Sequence, residues 1–258
     1  MSFHVHAGIP LMLDANSQSQ VYAEHYRIDA EAFDYFEERD DPATAHDERR
    51  VQEAILRRLD ASYSTVLDVG CGRAWVARTL CPRNITVCSM DISLANPTKA
   101  RERYPYDNHC ALVADAFALP FADGSLDAVI ASEIIEHVPD PAAFVSELIR
   151  ILRPGGSLII STPYKEKIKY CLCIHCNRTT PLHAHIHSFD EHVLERLTPR
   201  DVAVQFEWEA FGNKALLFLR TYPLLQWMPH GLWRFVDAMA NRLVNKRAHI
   251  VAEWRRTS

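Results

Sequence analysis

Five short apolar runs, separated by helix-like stretches, most tightly limit what this chain can fold into. The runs are 64–69, 85–90, 110–114, 126–131 and 157–161. Helical patterns start near Ala74 and cover 99–104 and 141–152. Apolar runs alternating with amphipathic helices predict a largely parallel sheet covered on both faces, with right-handed crossovers. At 258 residues with 48% hydrophobic content, the chain can bury one sizeable core. Residues 44–59 read as a further helix, with Val51, Ile55 and Leu59 at four-residue spacing and a capping box from Thr44 and Asp47.

Past Thr162 the rhythm stops. Residues 164–188 are rich in Cys and His and poor in core-forming runs. Ser188 and Glu191 give a second capping box for a helix ending near Leu197. Residues 202–210 and 248–254 read as two last strands, bringing the expected sheet to seven, with the apolar helical stretch 215–243 between them. Residues 1–43 have no clean period, and their aromatics indicate short helices or an ordered arm packed on the main domain. The expected organisation is an arm (1–43), an α/β core (44–163), a Cys/His insert (164–188) and a C-terminal part (189–258) carrying a hydrophobic cap (215–243). In Leu152-Arg-Pro-Gly-Gly156, Pro154 is expected to stop a helix and the glycines to turn the chain into the fifth strand.

The first run ends in Val66-Leu-Asp-Val-Gly-Cys-Gly72. A strand feeding a Gly-x-Gly turn presents backbone N–H groups to a ligand at the carboxyl edge of an open α/β sheet. A dinucleotide fingerprint needs a third glycine, but Trp75 stands there, which disfavours a pyrophosphate ligand and a nucleotide-dependent oxidoreductase. Asp91 ends the second run and suits the two hydroxyls of a ribose. Asp115 ends the third and suits an adenine amino group, with the Ala116 N–H beside it. One such Asp alone would read as a helix cap; three successive strand ends with matching chemistry do not.

These motifs, with Leu126-Asp-Ala-Val-Ile-Ala-Ser-Glu-Ile-Ile-Glu-His-Val-Pro-Asp-Pro141 and Leu152–Thr162, resemble the class I (Rossmann-like) methyltransferases that use S-adenosylmethionine, in particular type-11 and ubiquinone-type members. The resemblance covers roughly 66–162. It implies S-adenosylmethionine as cofactor. Asp68, Gly70, Cys71 and Gly72 would hold the methionine part, Asp91 and Ile92 the ribose, and Asp115 and Ala116 the adenine, with Glu133 nearby. Many relatives carry glycine where this chain has Ala74. Glu133, Glu136 and His137 follow the fourth strand and are the candidate catalytic residues. In ubiquinone-type O-methyltransferases the matching residues hold a divalent metal that activates a phenolic hydroxyl; His137 as a base or acceptor contact is the other reading. The implied reaction is methyl transfer to a small molecule, with oxygen as the favoured acceptor. The alternative is a non-catalytic binding protein of the same fold, acting through its insert.

The insert gathers Cys171, Cys173, Cys176, His183, His185 and His187 within 17 positions. Cys173-Ile-His-Cys176 is a Cys-x-x-Cys knuckle, and thiols with imidazoles at this spacing suit tetrahedral zinc. The expected ligands are Cys173, Cys176, His185 and His183, with Cys171 and His187 open as alternatives for the fourth, and the zinc is expected to be structural. A net charge of -5 disfavours a generic nucleic-acid surface. The N-terminus lacks the apolar region of a signal peptide, so the cytoplasm is the expected location. The stretch 215–243 reads as a cap over the sheet or, with Trp227, Trp233, Arg220, Arg234, Arg242 and Lys246, as a surface touching a membrane.

Overall fold

The computed structural model describes residues 4–13, 20–37 and 41–257. Its strands are β1 (His4–His6), β2 (Ile9–Met12), β3 (Thr65–Val69), β4 (Thr86–Asp91), β5 (His109–Ala114), β6 (Leu126–Ser132), β7 (Leu152–Pro163), β8 (Tyr170–Leu172), β9 (Thr179–Pro181), β10 (Val204–Asn213) and β11 (Arg247–Arg256). Its α-helices are α1 (Gln20–Ala32), α2 (Pro42–Leu56), α3 (Trp75–Leu80), α4 (Ala95–Arg103), α5 (Pro141–Arg150), α6 (Glu191–Arg196), α7 (Lys214–Phe218), α8 (Tyr222–Leu225) and α9 (His230–Leu243).

All seven expected strands form, in the order β5-β4-β3-β6-β7-β11-β10. The sheet nevertheless has nine strands, because a hairpin of β1 and β2 turns at Gly8 and adds to β5 in parallel. That hairpin lies in the arm, where the sequence has too short an alternation to signal a strand. The strands from β2 through β7 pair in parallel, while β11 runs antiparallel to β7 and β10 antiparallel to β11.

Alternate residues of each central strand feed opposite faces, as the period of 2 requires. Leu67, Val129 and Leu158 pack with Phe144, Val145 and Leu148 of α5 on one side. Val66, Ile130 and Ile159 pack with Ile55 of α2 and Leu80 of α3 on the other. Each such side chain contributes about 1.5–3 kcal/mol when fully buried. The cap is tied to this second layer by Arg50, which donates to the carbonyls of Leu225 and Met228 and lies 4.8 Å from the ring centre of Trp233.

Both capping boxes are corrected by the structure. Asp41 caps α2, accepting from the amides of Ala43 and Thr44 ahead of Pro42, which leaves Asp47 free for another partner. Asp190 caps α6, and Glu191 instead accepts from the Tyr164 hydroxyl at 2.7 Å. The Leu152–Gly156 segment is also not a turn after a helix: α5 ends at Arg150, before Pro154, and the segment already belongs to β7. Gly156 is required because a Cβ there would stand 2.7 Å from the Asp127 carbonyl oxygen.

Asp127 clamps the opposite, amino edge of the sheet. One of its oxygens accepts from the Ser64 and Thr65 amides and hydroxyls at 2.8–2.9 Å, and the other meets Arg153. Burial opposes its charge, but these donors outweigh burial and hold the carboxyl well below the usual range. Asp127→Asn should therefore cost about 1–3 kcal/mol in denaturant unfolding at pH 7. The wild-type advantage should persist above the unfolded Asp pKa of about 3.9 and fade as pH falls below it.

Candidate active site

The carboxyl ends of β3, β4, β5 and β6 open into one cavity of about 980 Å³. Because β11 is antiparallel, its first residues reach the same edge, and His249 joins the wall there. The arm supplies another wall through Tyr22, Tyr26, Asp29, Phe33 and Tyr35, and the insert a third through Thr180, Pro181, His183, Ala184 and His185. The arm is thus a cover over the cleft as well as a packing element.

The Gly-x-Gly turn behaves as its sequence demands. Gly70 and Gly72 both have positive φ (65° and 43°), and the nearest atoms to a Cβ on Gly72 would be 3.9 Å away, so the backbone is open to the cavity. Ala74 also sits in the left-handed region at φ 51°, a conformation that a glycine adopts without strain. Cys71 and Ile92 line the cavity and the Cys71 amide donates to the Met90 carbonyl at 2.9 Å.

Asp68 is buried, and its Oδ2 has no hydrogen-bond partner. Burial, then the Asp91 charge, raises its carboxyl well above the usual range. A buried acceptor left unpaired is costly, and an ammonium group would remove the cost. Asp91 is held at the end of β4 by the Ser93 amide (3.0 Å) and the Asn96 side chain (3.0 Å), and burial still raises its carboxyl. The Gly72 and Ile92 amides add to these donors, which ties Asp91 to the Gly-x-Gly turn at the cavity wall. Asp115 is not on the cavity wall: its Oδ1 accepts from the Phe117 amide, and Ala114 and Ala116 are the residues that face inward. These observations fit S-adenosylmethionine at Asp68, Gly70, Gly72 and Asp91.

The fourth-strand residues separate into two groups. Glu133 adopts φ 57°, a strained left-handed conformation for a residue with a Cβ, and is turned toward His249. Glu136 lies behind the wall, with Oε2 accepting from the Thr162 hydroxyl at 3.0 Å and Oε1 unpartnered. Burial and the nearby Glu133 charge push its carboxyl well above the usual range. His137 is lowered to about 4, first by burial and then by His185, and lies 3.3 Å from the Ala184 carbonyl through Nδ1. Among the described residues, the group able to hold a metal is Glu136, His137 and His185, with ligand atoms within 4.8 Å of one another.

The zinc ligands expected from the sequence are not brought together. His183 and His185 face the cavity at the base of the insert, where the Ile186 and His187 amides donate to the Glu136 carbonyl. His185 directs Nδ1 at Glu166, 2.6 Å away. Cys173 and Cys176 sit on the turn between β8 and β9, and among the described residues they join no group of three metal-ligating side chains. The turn is still knuckle-shaped: the Cys176 and His175 amides and the Cys176 thiol lower the Cys173 thiol. Sequence reasoning missed the site roles of Asp47, His249 and Glu166: Asp47 read as a helix cap, His249 as part of a last strand, and Glu166 was passed over in the insert.

Residues 67–160 match a protein family described as a methyltransferase domain. A 2-methyl-6-phytyl-1,4-hydroquinone methyltransferase from Synechocystis sp. is 41% identical over 100 residues, which are 38% of this chain and 31% of that one. A ubiquinone biosynthesis O-methyltransferase from Xanthomonas oryzae pv. oryzae is 33% identical over 125 residues, 46% of this chain and 52% of that one. The match thus spans about half or less of these relatives. A crystal structure of an S-adenosylmethionine dependent methyltransferase from Mesorhizobium loti shares the fold, with a TM-score of 0.58 at 18% identity over 82% of this chain and 100% of that one.

The binding roles have a direct check. Calorimetric titration should show saturable binding of S-adenosylmethionine and S-adenosylhomocysteine by the intact chain. Asp91→Ala should weaken both by about 10- to 100-fold through loss of charge-assisted hydrogen bonds. Unchanged affinity would remove Asp91 from the site.

Proposed function

We propose that this protein transfers a methyl group from S-adenosylmethionine to an oxygen of a small, largely apolar acceptor. The observation that carries the reading is the unpaired, buried Asp68 Oδ2 in one cavity with Asp91, the Gly-x-Gly turn and an aromatic wall. Asp68 would hold the ammonium, the backbone of Gly70, Cys71 and Gly72 the carboxylate end, Asp91 and Ile92 the ribose, and Ala116 the adenine, with Asp115 shaping that turn. When bound, the cofactor supplies an electrophilic methyl on a sulfonium. Tyr22, Tyr26 and Tyr35 would cover the cleft, exclude water and stack on a ring-shaped acceptor. Holding the acceptor in line with the methyl can contribute about 7–11 kcal/mol. The hydroquinone and ubiquinone named for the two relatives support an oxygen-bearing aromatic acceptor.

A divalent metal fits Glu136, His137 and His185 better than Glu133, Glu136 and His137. Glu136 Oε1 is unpaired, and Glu166 on His185 Nδ1 leaves Nε2 free and fixes the ring, the usual support behind a metal-bound imidazole. Bound there, a metal would supply charge to an acceptor oxygen. Cys173 and Cys176 remain the candidate thiol half of a structural zinc site. Supplied with tritiated cofactor, the protein should methylate phenols such as catechol or hydroquinone. His137→Ala should lower turnover tenfold or more, and His185→Ala or Cys173→Ser should reduce bound metal in elemental analysis. Transfer to amines alone would overturn the oxygen assignment.

The cap supports contact with a membrane surface. Phe218, Trp227 and Leu243 are more than 80% exposed, and Leu219, Leu224 and Phe235 join them. Between 214 and 247 the chain carries six Lys and Arg residues and a single acid, Asp237, which is buried. Apolar side chains ringed by cations suit anionic lipid, and no described helix is long and apolar enough to cross a bilayer. The protein should float with vesicles containing phosphatidylglycerol and not with pure phosphatidylcholine, and Phe218→Ser with Trp227→Ser should abolish flotation. Equal flotation of that double variant would exclude the cap.

A further inference from the structure

His249 lies outside every motif in the chain, yet it meets the geometric demands on a proton acceptor. Its Nε2 is 2.6 Å from Asp47 Oδ2, so Nε2–H donates to the carboxylate and leaves the Nδ1 lone pair free in the neutral ring. That Nδ1 is buried and has no hydrogen-bond partner. Facing it at 3.9 Å is Glu133 Oε1, also buried and unpaired. The separation is too long for a hydrogen bond, and two hydrogen-bond acceptors bound the gap. Such a gap favours an occupant that donates hydrogen. Both residues line the cavity, on the side away from Asp91, and the strained backbone of Glu133 holds its carboxyl there.

We propose that His249, positioned by Asp47, is the catalytic base that receives the proton of the acceptor hydroxyl at its Nδ1. This rests on the oxygen-acceptor reading above. The acceptor O–H bond breaks toward Nδ1 while its oxygen forms a bond to the methyl carbon and the carbon–sulfur bond breaks. The products are the methyl ether, S-adenosylhomocysteine and an imidazolium, which returns its proton to water. The imidazolium faces Asp47 from α2, Glu133 from the end of β6 and the more distant Lys214 at the start of α7. Burial works against its charge, but the Asp47 bond and the Glu133 charge outweigh burial and Lys214. Asp47 is a positioning residue, reached only because Asp41 and not Thr44 caps its helix.

The test compares wild type with His249→Ala, His249→Gln and Asp47→Asn, each first confirmed to melt cooperatively and to bind S-adenosylhomocysteine. With catechol and hydroquinone as acceptors, both His249 variants should lose about 100-fold or more in kcat/KM with cofactor affinity unchanged. Asp47→Asn should shift the acid limb of the kcat/KM profile to lower pH, which a merely structural residue would not do. Turnover within threefold of wild type in His249→Gln would overturn the proposal. If wild type methylates no phenol, the oxygen-acceptor reading fails by itself. The His249 site is then decided by nitrogen-15 NMR of the ring: protonated Nε2 with bare Nδ1 supports it, and the opposite tautomer overturns it.

Discussion

Parallel strands end on the same side of a sheet, and that constraint orders the rest of this molecule. The central strands β3 to β6 deliver Asp68, Asp91, Asp115 and Glu133 to one edge without any of them being near another in sequence. The loops leaving that edge must be polar at the top of an apolar core, because backbone groups there have lost their ladder partners. The reversal at β11 has the opposite consequence: its start, not its end, arrives at the cavity. His249 therefore joins strand ends whose residues, Asp68 to Glu133, lie more than a hundred positions earlier.

Crowding acids at a dry edge has an electrostatic consequence. Asp68, Asp91, Glu133 and Glu136 are all held above the usual carboxylate range, burial being the first cause in each case. Several of their oxygens lack partners. A group in this state favours whatever brings it a positive charge or a donor hydrogen. Unpaired, desolvated carboxyl oxygens of this kind are costly until a cation or a donor hydrogen meets them. The contrast with Asp127, ringed by donors at the other edge of the same sheet, shows that burial alone does not decide the direction.

Two segments outside the motif-bearing core complete the cavity walls. The arm lays aromatic side chains across the mouth, and the insert is tied to the core by two amides on the Glu136 carbonyl. The cap extends the opposite layer and is fastened through Arg50, leaving its apolar side chains outward. The shared sheet could serve many chemistries, and these additions are what make the cavity particular.

The sequence by itself determined the seven core strands, the binding turn and the acids at successive strand ends, because apolar period and glycine placement are local and survive without contacts. It also signalled that the second half carries something added to the fold. Only the tertiary structure decided which side chains share a space. It moved the helix caps to Asp41 and Asp190, which freed Asp47. It put the edge hairpin on β5, where a few residues gain a partner that no local pattern announces. It divided the Glu133, Glu136 and His137 triplet, sending Glu133 to His249 and joining Glu136 and His137 with His185. Asp47, Glu133 and His249 meet in this fold because the sheet erases sequence distance at one edge, and spacing along a chain carries no record of that.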